Sequence, residues 1–334
     1  MPKLISAAIE GNVDVIRGCL DADPTCERDE NGMTALMHAA FNGNLECVEL
    51  LIPYEKGLRD ATGWTALMHA TLGGHLNCIE ALLEESRIQS TNLKNDFYPG
   101  TTALMIAARR NWKNATTLLI KHEGGIRKAN GWTALMVAVW FNSLSVVPLL
   151  KNVEQGLTDD DGWTALMHAA MKNRIEVLDI LLDKEVGMQS TKKKYEYPVG
   201  TSALMIATVL GRFNFIEGLF QYEKGLKDAS GHDVLWHAKN NSRLGVIRKP
   251  TISSEMILFL LLQKLNASNE RAGTGLMATI GGDEVEDKED KHPSLTENMC
   301  LRADLMALQV RIKELEDMLG VHKETPDTSK PEVQ

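Results

Sequence analysis

The sequence predicts an all-α solenoid, built from about eight stacked helix-turn-helix units and followed by a C-terminal coiled-coil helix. Three observations carry this prediction. One tetrapeptide recurs along the chain at a nearly constant spacing. Apolar residues at helical spacing come after each recurrence. A heptad pattern then lies near the C-terminus.

The tetrapeptide Thr-Ala-Leu-Met begins at Thr34, Thr65, Thr102, Thr133 and Thr164, with a near copy at Ser202 and a decayed one at Asp233. Successive spacings are 31, 37, 31, 31, 38 and 31 residues. Self-similarity at such a period is the mark of a repeat architecture. The order short, long, short occurs twice, so a three-unit block is duplicated. Both long spacings carry Gln-Ser-Thr (from Gln89 and from Gln189) and a Tyr-Pro before the next motif.

One unit shows why the repeat folds and why it needs neighbours. Residues 60–63 form a turn, because Asp60 can bond its own backbone and Gly63 tolerates the φ required. Thr65 is placed to cap a helix. Leu67, Ala70 and Thr71 come next at helical spacing, and Gly74 ends the run. Ile79, Leu82 and Leu83 form one face of a second helix. Gly57 closes the helix before the turn. The pairs Ala39-Ala40, Ala107-Ala108 and Ala169-Ala170 let adjacent helices approach closely. No helix pair can hide its apolar face alone, so the units must stack.

The array is expected over residues 1–266. Residues 1–29 form an N-terminal cap unit with helices but no hairpin, and residues 229–266 form an irregular last unit. An acidic flexible linker is expected over 267–293, then the coiled-coil helix over 294–320 and a disordered tail over 321–334. In the coiled coil, Asn298, Leu305, Ile312 and Leu319 fall at a, and Leu301, Leu308 and Leu315 at d. A buried Asn298 favours two strands in fixed register. In a parallel dimer Glu297 would face Arg302 of a second copy, and Arg311 would face Glu316, so no pair repels. Two outcomes stay open. The helix forms a homodimer, or it docks on the array or on a different chain.

With these residues in view, the chain resembles the ankyrin-repeat proteins. Asp29, Gly32 and Thr34, and again Asp60, Gly63 and Thr65, match the opening of their unit. Leu36, Ala39, Ala40, Gly43, Leu50 and Leu51 match its two helices and the turn between them. The resemblance covers residues 1 to about 265, in eight units. One departure is systematic: the family's Pro and His are replaced by Ala and Met, as at Ala35 and Met37. The GWTALM variant with a coiled-coil tail is similar to ankyrin-only proteins of diplomonad protists, relatives of their ankyrin-bearing NEK-type kinases.

Composition narrows the function classes. The net charge is −9, which is poor for gripping a phosphate backbone. Most of it lies after Asn266, where 15 Asp/Glu stand against 8 Lys/Arg. Nucleic acid is therefore not an expected partner, and Lys192 to Lys194 read as a solvated loop tip. The five cysteines form no CxxC pair. Cys47 and Cys78 occupy equivalent places, where Val177 stands in another unit, and so read as small core residues. The N-terminal residues lack signal-peptide architecture, and the longest apolar run, 256–262, is too short to span a bilayer. A cytoplasmic location is expected, with cytoskeletal association as one form of it.

No phosphate-binding, zinc-protease, dinucleotide or kinase motif is present. We expect no catalytic residue, no cofactor and no metal. His38, His69 and His168 recur after Leu-Met, but no carboxylate or cysteine accompanies them at ligand spacing. They read as imidazoles packed between units.

Two surfaces are candidates for binding other proteins. The resemblance implies recognition through the hairpin tips and the exposed end of each first helix. That end varies from unit to unit, as a reading surface should: Phe41, Leu72, Arg109, Arg110, Trp140, Phe141, Met171, Val209 and Leu210. Trp64, Trp132 and Trp163 come directly after the turn glycine. They are either hot-spot residues or indoles stacked between neighbouring hairpins. The second surface is the pair of long loops, 88–100 with Phe97 and Tyr98, and 186–200 with Tyr195 and Tyr197. Extended fingers with exposed aromatics suit recognition. The expected function is a non-catalytic scaffold or adaptor. The alternatives are a regulatory or targeting subunit of a protein kinase, and a structural component of the cytoskeleton.

Overall fold

A computed structural model of the chain describes residues 2–22, 26–94 and 96–240. Among these residues the elements are helices, and no strand forms beyond two isolated bridges, Lys94 with Phe97 and Lys194 with Tyr197. The linker, the coiled coil with Asn298 and its leucines, the tail, and the second helix of the last unit all lie outside the described residues. The chain divides between Val234 and Leu235 into two units. The first is described nearly throughout.

The helices come in pairs. They are α1 (Lys3–Glu10) with α2 (Val13–Ala22), α3 (Ala35–Asn42) with α4 (Leu45–Glu55), α5 (Ala66–Gly73) with α6 (Leu76–Ala81), and α7 (Ala103–Arg109) with α8 (Lys113–Glu123). The series continues with α9 (Ala134–Trp140) and α10 (Val147–Glu154), α11 (Ala165–Lys172) and α12 (Leu178–Glu185), and α13 (Ala203–Val209) and α14 (Phe213–Glu223). A last first-type helix, α15, covers Val234–Asn240. From α1 to α13, each first helix packs on the first helices before and after it, and from α2 to α12 the second helices do the same. The packing therefore runs from each unit to the next, as a solenoid requires.

Close approach of the first helices follows from their small residues. Ala39, Ala40, Ala107, Ala108, Ala169 and Ala170 are completely buried, and so are Val48, Leu51, Ile79 and Leu119 from the second helices. Cys47, Cys78 and Val177 share one buried position, as expected of small core residues.

The helix starts are secured in a way the tetrapeptide alone does not reveal. Thr102, Thr133, Thr164 and Ser202 accept a hydrogen bond from the backbone three residues on, at 3.3–3.5 Å. Thr34 and Thr65 make no such cap bond. A buried glutamate at the end of the second helix, or for Glu85 at the end of the 3-10 turn that comes after α6, caps every one of these first helices. Glu55, Glu85, Glu123, Glu154, Glu185 and Glu223 accept the N–H of Leu36, Leu67, Leu104, Leu135, Leu166 and Leu204 at 2.6–2.8 Å. From Glu85 on, the second carboxylate oxygen reaches back to an N–H of the preceding unit: Gly57, Arg87, Gly125, Gly156 and Gly187. Each of those carboxylates bolts two units together. Burial pushes all six carboxyls above the usual range, while the N–H donors pull the other way.

The hairpins are chained as well. Asp160 N–H donates to the carbonyl of Asn130, and Thr191 N–H to that of Asp161. Gly131 and Gly162 make this possible. Both hold φ near +80°, and a Cβ on either would sit 2.4 Å from the approaching backbone nitrogen.

Candidate functional site

Five residues before each Thr-Ala-Leu-Met threonine stands the residue that organises the hairpin. In three described units it is Asp29, Asp60 or Asp159; before the decayed motif Asp228 likewise takes the N–H groups of Ser230 and His232. One oxygen of that carboxylate accepts two turn N–H groups: Asn31 and Met33 for Asp29, Thr62 and Trp64 for Asp60, Asp161 and Trp163 for Asp159, all at 2.8–3.1 Å. The other oxygen lies 2.9–3.1 Å from Nε2 of a histidine nine residues on: His38, His69 and His168. The hairpin is thus tied to its own first helix.

Two of these pairs receive a third member. Lys94 and Lys194, from corresponding positions in the two long loops, reach back to Asp60 and Asp159. Lys194 also pairs with Asp161 at 3.1 Å. Burial pushes the Asp159 carboxyl up, but the bonds from His168, Lys194 and the Trp163 N–H outweigh it and bring the group to about 2. Asp60 is held below the ordinary range in the same way. Burial pushes His69 and His168 down, against the pull of their aspartates, so both stay neutral near neutral pH. The neutral ring then donates Nε2–H to the carboxylate, which can only accept.

Two expectations are corrected here. A carboxylate does accompany each recurring histidine, because the hairpin folds back on the helix and brings together residues nine apart. Lys194 is not a solvated loop residue, since its ammonium sits between two aspartates. Lys192 and Lys193 are exposed.

The fourth unit breaks the pattern at both positions. Lys128 stands where four units have Asp and the two long units have Phe97 or Tyr197, and Val137 stands where those units have His or, in the long ones, Ile106 and Ile206. The backbone turn survives, with Lys128 N–H on the Trp132 carbonyl and Gly131 N–H on the Lys128 carbonyl, each at 2.9 Å. The carboxylate acceptor is lost. Trp132 N–H turns instead to the side chain of Asn130 at 3.3 Å.

A cleft of about 350 Å³ opens at this hairpin, between the two long loops. One side is formed by Asp96, Phe97, Tyr98 and Arg109, the floor by Lys128, Asn130, Trp132, Val137, Trp140 and Phe141, and the far side by Asp161, Lys194 and Tyr195. The Arg109 guanidinium lies 4.4 Å from the ring centres of both Phe97 and Phe141, with Asp96 at 3.7 Å. Trp132 and Trp140 meet edge to face at 5.2 Å, and both pack on His168. The Lys172 ammonium covers Trp140 at 3.8 Å. Burial, with Arg109 nearby, pushes Lys128 down to about 8.

Of the residues singled out from the sequence, the cleft gathers Arg109, Trp140, Phe141, Trp132, Phe97, Tyr98 and Tyr195. It does not gather Phe41, Leu72, Arg110, Met171, Val209, Leu210, Trp64, Trp163 or Tyr197. Three expectations of exposure are corrected, since Phe97, Tyr197 and Val209 are buried; of the two roles open to Trp64 and Trp163, both indoles are buried as well. Phe97 and Tyr197 stand at the aspartate position of the long units and turn inward, 5.4 Å from Trp64 and 5.6 Å from Trp163. Each loop therefore folds back over the unit before it and leaves one tyrosine outside, Tyr98 or Tyr195. The indoles do not stack on each other between hairpins, since Trp132 and Trp163 both pack on His168. Lys128, Asn130, Val137, Asp96, Asp161 and Lys194 were not singled out as site residues. Aligning the units on the threonine would have set Lys128 apart as the one cation at a position that otherwise holds Asp, Phe or Tyr.

Among the described residues no group of three His, Cys, Asp or Glu is placed to hold a metal ion. No helix among them is long and apolar enough to cross a membrane. The family model for ankyrin repeats matches the chain three times, over residues 4–95, 88–155 and 146–230. No curated protein matches it.

Proposed function

Because this chain belongs to the ankyrin-repeat family, whose arrays are generally protein-interaction modules without catalytic activity, we propose that it is a cytoplasmic scaffold or adaptor. Its array holds a partner protein at the cleft beside the fourth hairpin. The observation that carries this reading is the gathering of aromatic side chains from two loops and one hairpin around an open cleft. Aromatic anchors with arginine are the usual core of a protein interface. The heptad over 294–320 would add a second interaction, by pairing two copies or by engaging another chain, and two linked modules raise avidity.

The test is quantitative pull-down of the full chain against a Tyr98→Ser, Phe141→Ser, Tyr195→Ser variant. All three side chains are exposed, so folding is preserved. Loss of the captured partners in the variant supports the reading; an unchanged set refutes it. The GWTALM motif adds a link to the diplomonad ankyrin-only proteins and, through them, the alternative of a kinase-regulating subunit. Kinase activity in the captured fraction, lost in the same variant, would favour that form. Co-sedimentation with filaments would favour the cytoskeletal one.

A further inference from the structure

Lys128 and Val137 are a paired exception. In three described units an Asp and a His face each other across hairpin and helix, and Asp228 and His237 hold the same two places in the last; the two long units put an inward Phe97 or Tyr197 at the hairpin position, and the fourth hairpin alone puts a cation there, with Val137 opposite. A lysine cannot accept the turn N–H groups, and a valine cannot pair with a lysine. The exchange gives up the hydrogen bonds of a carboxylate, each ordinarily worth about 1 kcal/mol; the Asn130 side chain takes back only the Trp132 N–H. A local rule broken with so little internal compensation marks a functional position.

The charges of the cleft point to what it takes. Lys194 is engaged by Asp159 and Asp161. Arg109 lies between two phenyl rings, with Asp96 beside it. Lys128 has no ion pair and no side-chain hydrogen bond among the described residues, so one cation is left over. We propose that Lys128 receives the carboxylate of an Asp or Glu side chain from an extended acidic peptide segment of the partner protein, with neighbouring apolar side chains of that segment lying against Phe141 and Trp140. This deepens the scaffold reading and rests on it.

Carboxylate is favoured over phosphate. One free ammonium matches one negative charge, and Asp96 and Asp161 at the rim would repel a dianion. Around aromatic walls such a pair is worth more than in water. Burial already lowers the Lys128 ammonium toward neutrality, so an arriving carboxylate stabilises the charged form. A cleft of about 350 Å³ takes only a few side chains. The exposed Tyr98 and Tyr195 at its two sides can then lie along an extended backbone.

The experiment selects binders of the full chain from a displayed library of random dodecapeptides. It is repeated on Lys128→Asp/Val137→His, which restores the pair used by three other units, and on Lys128→Met and Lys128→Arg. We expect wild-type selection to fix an acidic residue next to an apolar one. The best synthetic peptide should bind Lys128→Met and the double variant about thirty-fold more weakly, and Lys128→Arg almost as well. Changing its fixed Glu to Gln should cost the same on wild type and nothing further on Lys128→Met or the double variant. Peptides without a fixed acid, or full affinity retained by Lys128→Met and the double variant, would overturn the proposal and leave the scaffold reading standing. Tighter binding of the same peptide with phosphoserine at the fixed position would overturn the choice of carboxylate. A library that yields no binder at all would overturn the proposal, while the scaffold reading stands or falls on the pull-down of the exposed-aromatic variant.

Discussion

The fifth hairpin and the fourth share one backbone turn and differ at two facing side chains. In the fifth, Asp159 takes two turn N–H groups, His168 and Lys194, and the carboxylate and the imidazole are both fully buried. In the fourth, Lys128 faces Val137, and the freed ammonium lines an open cleft. A repeat protein can thus convert one unit from support to recognition without changing its fold. It exchanges a buried acceptor for an unpaired donor and removes the old partner in the same step.

The sharpest way to break this comparison is to open the closed hairpin. Asp159→Ala strands the N–H groups of Asp161 and Trp163, the His168 Nε2–H and the Lys194 ammonium. Removing one partner of such a buried set costs about 3–5 kcal/mol, seen as a lower urea midpoint. A loss below about 1 kcal/mol would mean that the hairpin does not depend on the carboxylate. Next comes the aromatic floor that joins the two hairpins. Trp140 packs on Trp132 and His168, so Trp140→Ala should cost about 2 kcal/mol. Phe141→Ala, at an exposed side chain, should change stability by less than about 0.5 kcal/mol. Equal losses would show that the cleft wall is not divided in this way.

Acid sharpens the comparison further. Burial holds the folded pKa of His69 and His168 below the unfolded value. Their contribution is complete above about pH 6.5 and is lost as pH falls, because the unfolded chain takes up protons that the folded chain refuses. The limit is about 1.4 kcal/mol per pH unit for each histidine. The buried glutamates have raised pKa values and act with the opposite sign, losing stability as pH rises from the unfolded value through the folded one. They are common to wild type and variant and cancel in the difference. Between pH 7 and 5, wild type should therefore lose stability faster than His69→Asn/His168→Asn. Parallel curves would contradict the buried neutral histidines.

Much of the fold was legible in the chain. Thr-Ala-Leu-Met gave the period, and the paired alanines marked the buried faces. The buried glutamates were not found, because their partners lie 18 or 19 residues away in the same unit and about 28–36 away in the previous one, at no helical or strand spacing. The Asp–His pairs were missed for the same reason. A separation of nine residues means contact only once the hairpin is known to fold back. Phe97 and Tyr197 seemed exposed as loop aromatics, yet they hold the hairpin position that Asp60 and Asp159 fill elsewhere, and that position faces inward. Of the candidate surface, the helix-end residues Arg109, Trp140 and Phe141 were legible through their variation. The cleft itself was not, since two loops about 100 residues apart form its sides.

The most direct measurement is the urea midpoint of Lys128→Asp/Val137→His. If the fourth hairpin gave up stability for recognition, restoring the pair supplies a carboxylate acceptor for the N–H groups of Asn130 and Trp132, and joins that carboxylate to the introduced imidazole. The midpoint should then rise, by the equivalent of about 1 kcal/mol. A fall of the midpoint toward that of Asp159→Ala would show that Lys128 supports the fold, and the division between closed and open hairpins would have to be given up.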